Sequence, residues 1–314
     1  MDAPEQISVI IPARDATATL PDVLAAVAEQ RSVDRFEVVV VDDGSVDGTG
    51  ELAAASSVVD RVVRQEGIGP GRARNAGATA ASGRLLAFLD ADCRPTPDWL
   101  HAGLAALAQA DLVLGETRPR PDQAMGPFDR TLSVVGASPL FESANLFVRR
   151  ELFERLGGFE SWLGPRRGKE LGEDVWFGWR ARRAGARISA CAQARADHAV
   201  EPRGALSFAA ERWRLRFFPA MVKRMPELRR ELLYGHIFLN ARAARFDAAV
   251  LSLLSAAALR RPFLAAGALP YARTLNQDRR EPDGIQKLLG RSLADSIGLA
   301  AMVIGSLRYR SLLL

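Results

Sequence analysis

Near-continuous apolar runs and apolar positions at helical spacing alternate along the N-terminal part of the chain. Residues 7–11 (ISVII) and 36–41 (FEVVVV) are β-branched and aromatic runs bounded by polar or Pro-containing segments, and between them Leu20, Val23, Leu24 and Val27 recur at helical spacing. This is a β-α-β pattern. Apolar runs without alternation predict strands covered on both faces, as in a parallel sheet flanked by helices. The pattern repeats: a helix over 47–56 and a strand near 61–64, a helix over 71–81 and a strand over 84–89, a helix over 97–109 and a strand over 111–114. Such alternation predicts a doubly wound, mainly parallel α/β domain.

Beyond 114 the regularity lapses into a Pro- and Gly-bearing stretch, 116–142, followed by a strand over 144–148 and a short helix to Leu156. Residues 164–172 (GPRRGKELG) predict a loop carrying Arg166, Arg167 and Lys169, and a helix with Val175, Trp176 and Trp179 on one side comes next. From about 203 onward the pattern is helical, rich in Ala, Leu and Arg, with no β-α-β alternation.

Composition alters this picture in one respect. The 314 residues are 48% hydrophobic and 25% charged, a globular profile. The formal charge of +5 suggests nucleic acid, yet 39 of the 42 basic residues are Arg, and residues 1–198 carry −5 while residues 199–314 carry +10. The sum averages two unlike regions and argues against a nucleic-acid partner. Cys93 and Cys191 stand far apart with no CxxC spacing, which predicts neither a disulfide framework nor a zinc site and favours a reducing, cytoplasmic setting. The start MDAPEQISVIIPARD has no basic and apolar leader pattern.

In doubly wound sheets ligands sit beyond the carboxyl ends of the strands. Those ends are acidic here: Pro12-Ala13-Arg14-Asp15 after the first strand, Asp42-Asp43-Gly44-Ser45 after the second and Asp90-Ala91-Asp92 after the fourth. Carboxylates so gathered repel one another unless a cation or hydrogen-bond donors stand among them. A DxD pair suits a divalent cation shared with phosphate oxygens, though an isolated DxD is as readily a solvated turn.

The runs 38–49 (VVVVDDGSVDGT) and 71–93 (GRARNAGATAASGRLLAFLDADC), the segment Ser143-Ala144-Asn145 and Gly172-Glu173-Asp174, in that order and spacing, resemble family 2 glycosyltransferases of the GT-A fold over roughly residues 5–200. The resemblance implies a single nucleotide-binding, Rossmann-like catalytic domain, 1–202, with a C-terminal helical extension, 203–314. It implies inverting transfer of a sugar from a nucleotide-diphosphate sugar to a hydroxyl acceptor on a saccharide or lipid-linked precursor, with Mn²⁺ or Mg²⁺. Asp43 then holds the base, and Pro12, Arg14 and Asp15 line the same pocket, Asp15 standing where Asn is common. Arg74 lies near the nucleotide. Asp90 and Asp92 form the metal pair, Asp92 chiefly on the metal and Asp90 toward ribose or donor sugar, with His198 as a further ligand. Asp174 is the general base, and Asn145, Glu173 and Trp176 belong to the acceptor side.

The residues themselves leave alternatives open. Asp42 reads as a turn residue before Gly44, Asn75 as a helix hydrogen-bonding residue, Trp179 as core, Glu173-Asp174 as favourable charge at a helix N-terminus, and Arg166, Arg167 and Lys169 as a lid over the diphosphate or a solvated loop. A nicotinamide dehydrogenase lacks its GxGxxG after the first strand, and an aspartyl-nucleophile phosphatase lacks the Thr or Val that Arg94 replaces. A sugar-nucleotide-binding or scaffold protein without turnover is the remaining alternative.

Residues 203–230 carry eight basic and two acidic residues, with Trp213, Phe217 and Met221 spaced by four, predicting an apolar stripe beside a cationic face, as on an anionic membrane surface. Pro219 interrupts that helix or starts a second. The apolar runs 248–259, 263–272 and 296–307 each fall short of a spanning length, which predicts peripheral attachment at the cytoplasmic membrane face or a core bundle.

Overall fold

The computed structural model describes residues 7–31, 33, 35–163 and 171–314; Arg166, Arg167 and Lys169 lie outside the described residues. The chain forms two compact units, one running to Ala124 and from Thr131 to Val200, the other comprising Met125–Arg130 and Glu201–Leu314.

The first unit is an α/β sandwich. Its strands are β1 (Ile7–Ala13), β2 (Glu37–Asp42), β3 (Arg61–Arg64), β4 (Leu85–Leu89), β5 (Cys93–Pro95), β6 (Leu112–Pro119), β7 (Asn145–Arg149) and β8 (Ile188–His198). Its helices are α1 (Leu20–Ala28), α2 (Thr49–Ala55), α3 (Pro70–Ala80), α4 (Trp99–Leu107), α5 (Arg150–Arg155) and α6 (Glu173–Arg183). The sheet order is β3-β2-β1-β4-β7-β6-β8-β5. β1 pairs in parallel with β2 and β4, and β2 with β3. All six residues of β2 are buried, as the unbroken apolar run predicted.

Beyond β4 the doubly wound pattern changes. β7 runs antiparallel to both β4 and β6, β8 returns parallel to β6, and the short β5 closes the edge antiparallel to β8. β5 was not expected from the sequence, because its three residues Cys93-Arg94-Pro95 have no periodicity to read. β6 extends to Pro119, past the expected end at 114, because its polar tail pairs with residues 195–198 of β8. A register shift separates Gly115 from Glu116 along that ladder.

The second unit is helical, with α7 (Ala205–Glu211), a 3₁₀ segment Arg212–Phe217, α8 (Phe218–Arg224), α9 (Leu228–Glu231), α10 (Ala241–Ala258), a 3₁₀ segment Pro262–Ala268, α11 (Leu269–Arg280) and α12 (Gly284–Tyr309). Pro219 opens α8, where its missing N–H costs nothing. The expected stripe of Trp213, Phe217 and Met221 does not form one face: the tighter 3₁₀ turn takes Trp213 out to 42% exposure, while Phe217 and Met221 are buried. The run 296–307 is likewise longer than expected, because it continues N-terminally into the 26 residues of α12. By length and composition α12 passes the test for a membrane-crossing helix, with mean hydropathy 1.4 over its most apolar 18 residues, a third of which are buried.

Candidate active site

The carboxyl ends of β1 and β2 are stitched together by short polar loops. The Asp43 N–H donates to the Ala13 carbonyl at 2.8 Å, the Asp15 N–H donates to Ser45 Oγ at 3.0 Å, and Asp15 Oδ1 accepts from the Val46 N–H at 2.9 Å. Asp15 has φ +48°, a left-handed conformation that Asp and Asn tolerate through such local bonds. Arg14 extends beside it, its Nε 3.8 Å from Asp15 Oδ2, and Pro12 sits opposite Val41 in the ladder. Asp42 is a turn residue, its Oδ1 accepting from the Ser45 N–H at 2.9 Å. Gly44 has φ +71°, and a Cβ there would meet Gly67 N at 2.7 Å, so the turn packs flat against the 65–69 loop.

Asp43 is buried and works on that loop. Oδ1 accepts from Gln65 Nε2 at 2.6 Å and the Ile68 N–H at 2.8 Å, and Oδ2 accepts from the Gly69 N–H at 2.9 Å. Pro12, Arg14, Asp15 and Asp43 are thus brought to one rim. A ligand donor approaching Asp43 meets a carboxylate already shaped by three bonds.

A second cluster centres on Arg74, buried on α3. Its Nη2 donates to Asp90 Oδ1 at 2.5 Å, and its Nη1 lies 3.7 Å from Glu173 Oε1. Burial opposes the guanidinium charge, but Asp90, Glu173 and Asp174 together hold its pKa above the ordinary value. Asp174, in the first turn of α6, behaves oppositely. Burial first, and then the neighbouring Glu173 and Glu142 carboxylates, push its pKa up to about 8 against the pull of Arg74 and the Val175 N–H. Charge at a helix N-terminus is here combined with a proton held near neutral pH.

Glu142 was not singled out in the sequence. It follows Phe141, whose φ of +51° is unusual for a bulky residue, and its Oε2 is buried without a partner among the described residues. Gly178 permits that turn: a Cβ there would meet the Phe141 ring at 2.0 Å. The only sequence signal was its place just ahead of Ser143-Ala144-Asn145.

The third grouping follows from the β5–β8 register, which pairs Cys93 with His198. Asp92 Oδ2 stands 3.4 Å from His198 Nε2, and candidate ligand atoms of Asp92, Cys93 and His198 all lie within 4.8 Å of one another. His198 Nδ1 is 2.6 Å from the Ala199 carbonyl, which calls for a proton on Nδ1; in the neutral ring the Nε2 lone pair then faces Asp92. A lone pair facing a carboxylate is favourable with a cation between them, so Asp92 and His198 fit a divalent ion. Cys93 is a soft sulfur ligand and suits hard Mn²⁺ or Mg²⁺ less well; burial, followed by Asp92 and Asp90, raises its thiol pKa. Asp90, expected on the metal as well, gives its Oδ1 to Arg74.

Two residues expected on the acceptor side have partners within the fold. Asn145 is buried, donating from Nδ2 to the Glu116 and Ala194 carbonyls at 3.0 and 2.9 Å and accepting from Trp99 Nε1 at 2.8 Å. It plugs the irregularity between β6 and β8, so closely that a Cβ on Gly115 would overlap it. Trp176 donates its indole N–H to Glu160 Oε2 at 2.7 Å, and the guanidinium groups of Arg180 and Arg183 lie 5.6 and 5.5 Å from its ring, which gives it a structural role along α6. Trp179 is core, its Nε1 donating to the Pro139 carbonyl. Asn75 clamps both the N–H and the carbonyl of Phe159.

An α/β sheet with acidic strand ends, a buried arginine amid carboxylates and an aspartate whose pKa is raised suits group transfer. Residues 8–156 match Glycosyl transferase family 2. Glycosyltransferase AglE of Haloferax volcanii is 32% identical over 215 residues, covering 64% of this chain and 69% of that protein. A validoxylamine A glucosyltransferase of Streptomyces hygroscopicus subsp. jinggangensis is 36% identical over 160 residues, 45% of this chain, which spans 37% of its length. Among solved structures, the mannosyltransferase PcManGT from Pyrobaculum calidifontis, in complex with GDP-Man and Mn²⁺, superposes with TM-score 0.58 at 20% identity, covering 98% of this chain and 89% of that one. S. aureus TarS 1–349 in complex with UDP-GlcNAc gives 0.52 at 18% identity, covering 98% and 92%. The chain belongs to glycosyl transferase family 2 and has the mixed α/β fold of those structures. It is a glycosyltransferase.

Proposed function

We propose that the enzyme transfers a sugar from a nucleotide-diphosphate sugar to a hydroxyl of a saccharide or lipid-linked acceptor with inversion at the anomeric carbon, and that Asp174 is the general base. The observation that carries this is the raised pKa of Asp174 beside Arg74 and Glu173, at the carboxyl end of a sheet whose relatives include sugar transferases. The acceptor oxygen attacks the anomeric carbon, its proton passes to an Asp174 carboxylate oxygen, and the bond from that carbon to the diphosphate oxygen breaks. One carboxylate suffices for a single displacement.

Pro12, Arg14, Asp15 and Asp43 line the nucleotide end of the donor site, and Arg74 orients Asp90 toward the donor sugar or ribose. Glu173 raises the basicity of Asp174 and borders the acceptor. Asp92 and His198 would hold a divalent cation, Mn²⁺ or Mg²⁺; such an ion, when bound, offsets the negative charge that develops on the leaving diphosphate. The Mn²⁺ complex of PcManGT supports this.

In the helical unit, Leu251, Leu254, Leu259 and Phe263 are 64–68% exposed, and Arg260 and Arg261 lie between the last two. Apolar residues beside paired arginines suit an anionic membrane surface, and we infer peripheral attachment there. Flotation of the full chain with and without anionic vesicles tests it, and failure to float overturns it. For transfer itself, the NMR coupling of the anomeric proton in donor and product reads the stereochemical outcome. An α-linked donor giving a β-linked product, with turnover lost on chelation and restored by Mn²⁺, is expected; retention of configuration refutes the single displacement.

A further inference from the structure

The helical unit encloses a cavity of about 250 Å³ between α10, α12 and the 3₁₀ segment at 212–217. Phe208, Leu215, Phe246 and Met302 supply apolar wall, and Arg212 and Asp247 face the same space. The other charges around it neutralise one another. Arg242 donates to Asp278 at 2.7 Å and to Asp295 at 2.8 Å, Tyr271 donates to Asp295, and Arg291 pairs with Asp278 and Glu281.

Three polar groups are left over, one of them Arg242 Nη2, buried without a partner among the described residues. Among the described residues the Asp247 carboxylate has no hydrogen-bond or ion-pair partner; its Oδ2 is sealed from solvent, which leaves Oδ1 as the accessible acceptor. Burial, with Asp295 nearby, pushes its pKa up to about 6. The Arg212 guanidinium lies over the Phe208 ring, 5.1 Å from its centre, and has no carboxylate partner among the described residues. A half-buried carboxylate without a donor is costly, and sites that carry such a cost are commonly completed by a ligand.

We propose that this cavity is a saccharide-binding site separate from the catalytic centre, with Asp247 accepting and Arg212 donating hydrogen bonds to hydroxyls of one pyranose ring that packs on Phe246. A free acceptor on Asp247 and free donors on Arg212 and Arg242, in a wall whose charges balance, suit an uncharged ligand that both donates and accepts, which is the character of a sugar hydroxyl. The Phe246 ring matches the apolar C–H face of a pyranose. The volume lies just below the roughly 300–1,000 Å³ of drug-sized sites, so it takes a single ring. The inference stands whether or not Asp174 is the base.

Saturation-transfer difference NMR on the full chain, with methyl glycosides of glucose, mannose and galactose as probes, tests it. At least one glycoside should receive saturation from the wild type. Asp247→Ala should weaken its binding at least about tenfold. Gly298→Met, which fills the cavity from α12 where an added Cβ meets only Leu215 at 3.7 Å, should abolish it. Both variants should release nucleoside diphosphate from the donor as the wild type does. Absence of transfer to every glycoside, undiminished transfer in both variants, or native mass spectrometry finding a phospholipid in the cavity would overturn the assignment.

Discussion

Replacing Asp174 with Asn should stabilise the protein while silencing it. The pKa of Asp174 rises from an ordinary 3.8 to about 8, so its charged form is penalised in the fold by up to about 6 kcal/mol. Protonation of this group contributes stability that is fully present below the unfolded value and is lost as pH rises through the folded one. Between pH about 4 and about 8 the wild type therefore loses stability that an amide keeps. Asparagine preserves the side-chain volume and an acceptor for the Val175 N–H, and the penalty, already net of the attraction to Arg74, is shared with the neighbouring Glu173 carboxylate. The net gain expected is about 1–2 kcal/mol, read as a rise in Tm of a few degrees. Thermal melts of both proteins across that pH range provide the assay, with transfer measured alongside. The Tm difference should widen with pH and level off above about 8, and transfer should fall by about 10²–10⁴. An Asn variant that is less stable at every pH, with a gap that does not change, would refute the reasoning.

The same pKa predicts that kcat/KM of the wild type rises with pH to a limb near 8, and that Glu173→Gln, by removing the adjacent negative charge, moves this limb to lower pH. A limb unmoved in a folded Glu173→Gln variant would remove Glu173 from the electrostatics of the base. His198→Ala should weaken the apparent affinity for Mn²⁺ at least about tenfold in a turnover titration while leaving Tm little changed; an unchanged titration would exclude His198 as a ligand. Asn145→Leu should cost at least about 3 kcal/mol in chemical denaturation, because two carbonyls and the Trp99 N–H each lose a buried partner, with donor affinity of the folded protein preserved. A stable Asn145→Leu variant with a raised acceptor KM would return this residue to the acceptor side.

The strand and helix pattern of the first unit was legible because burial on both faces writes itself as unbroken apolar runs: β1, β2 and β4 each lie within a residue or two of the expected position. What the sequence conceals is pairing. β7 looks like any other apolar strand, and its antiparallel insertion between β4 and β6 depends on contacts distant in the chain. β5 is too short to carry a period. At the site, acidic residues at strand ends were legible by position, whereas partners were not. Asn145 stands in a conspicuous motif yet is consumed by a sheet irregularity that only the β6–β8 register creates. Glu142 escaped notice because its proximity to Asp174 depends on the left-handed turn at Phe141. In the second unit the spacing of Trp213, Phe217 and Met221 within 203–230 predicted one apolar stripe, and the 3₁₀ turn at 212–217 breaks it.

The central claim is that a carboxylate at position 174 takes the acceptor's proton during sugar transfer. Its most direct test is the release of nucleoside diphosphate in the presence of acceptor, compared between wild type and Asp174→Asn at matched donor occupancy and saturating Mn²⁺. Donor binding at wild-type affinity with transfer abolished is the predicted result. Unimpaired transfer by the Asn variant would contradict the account.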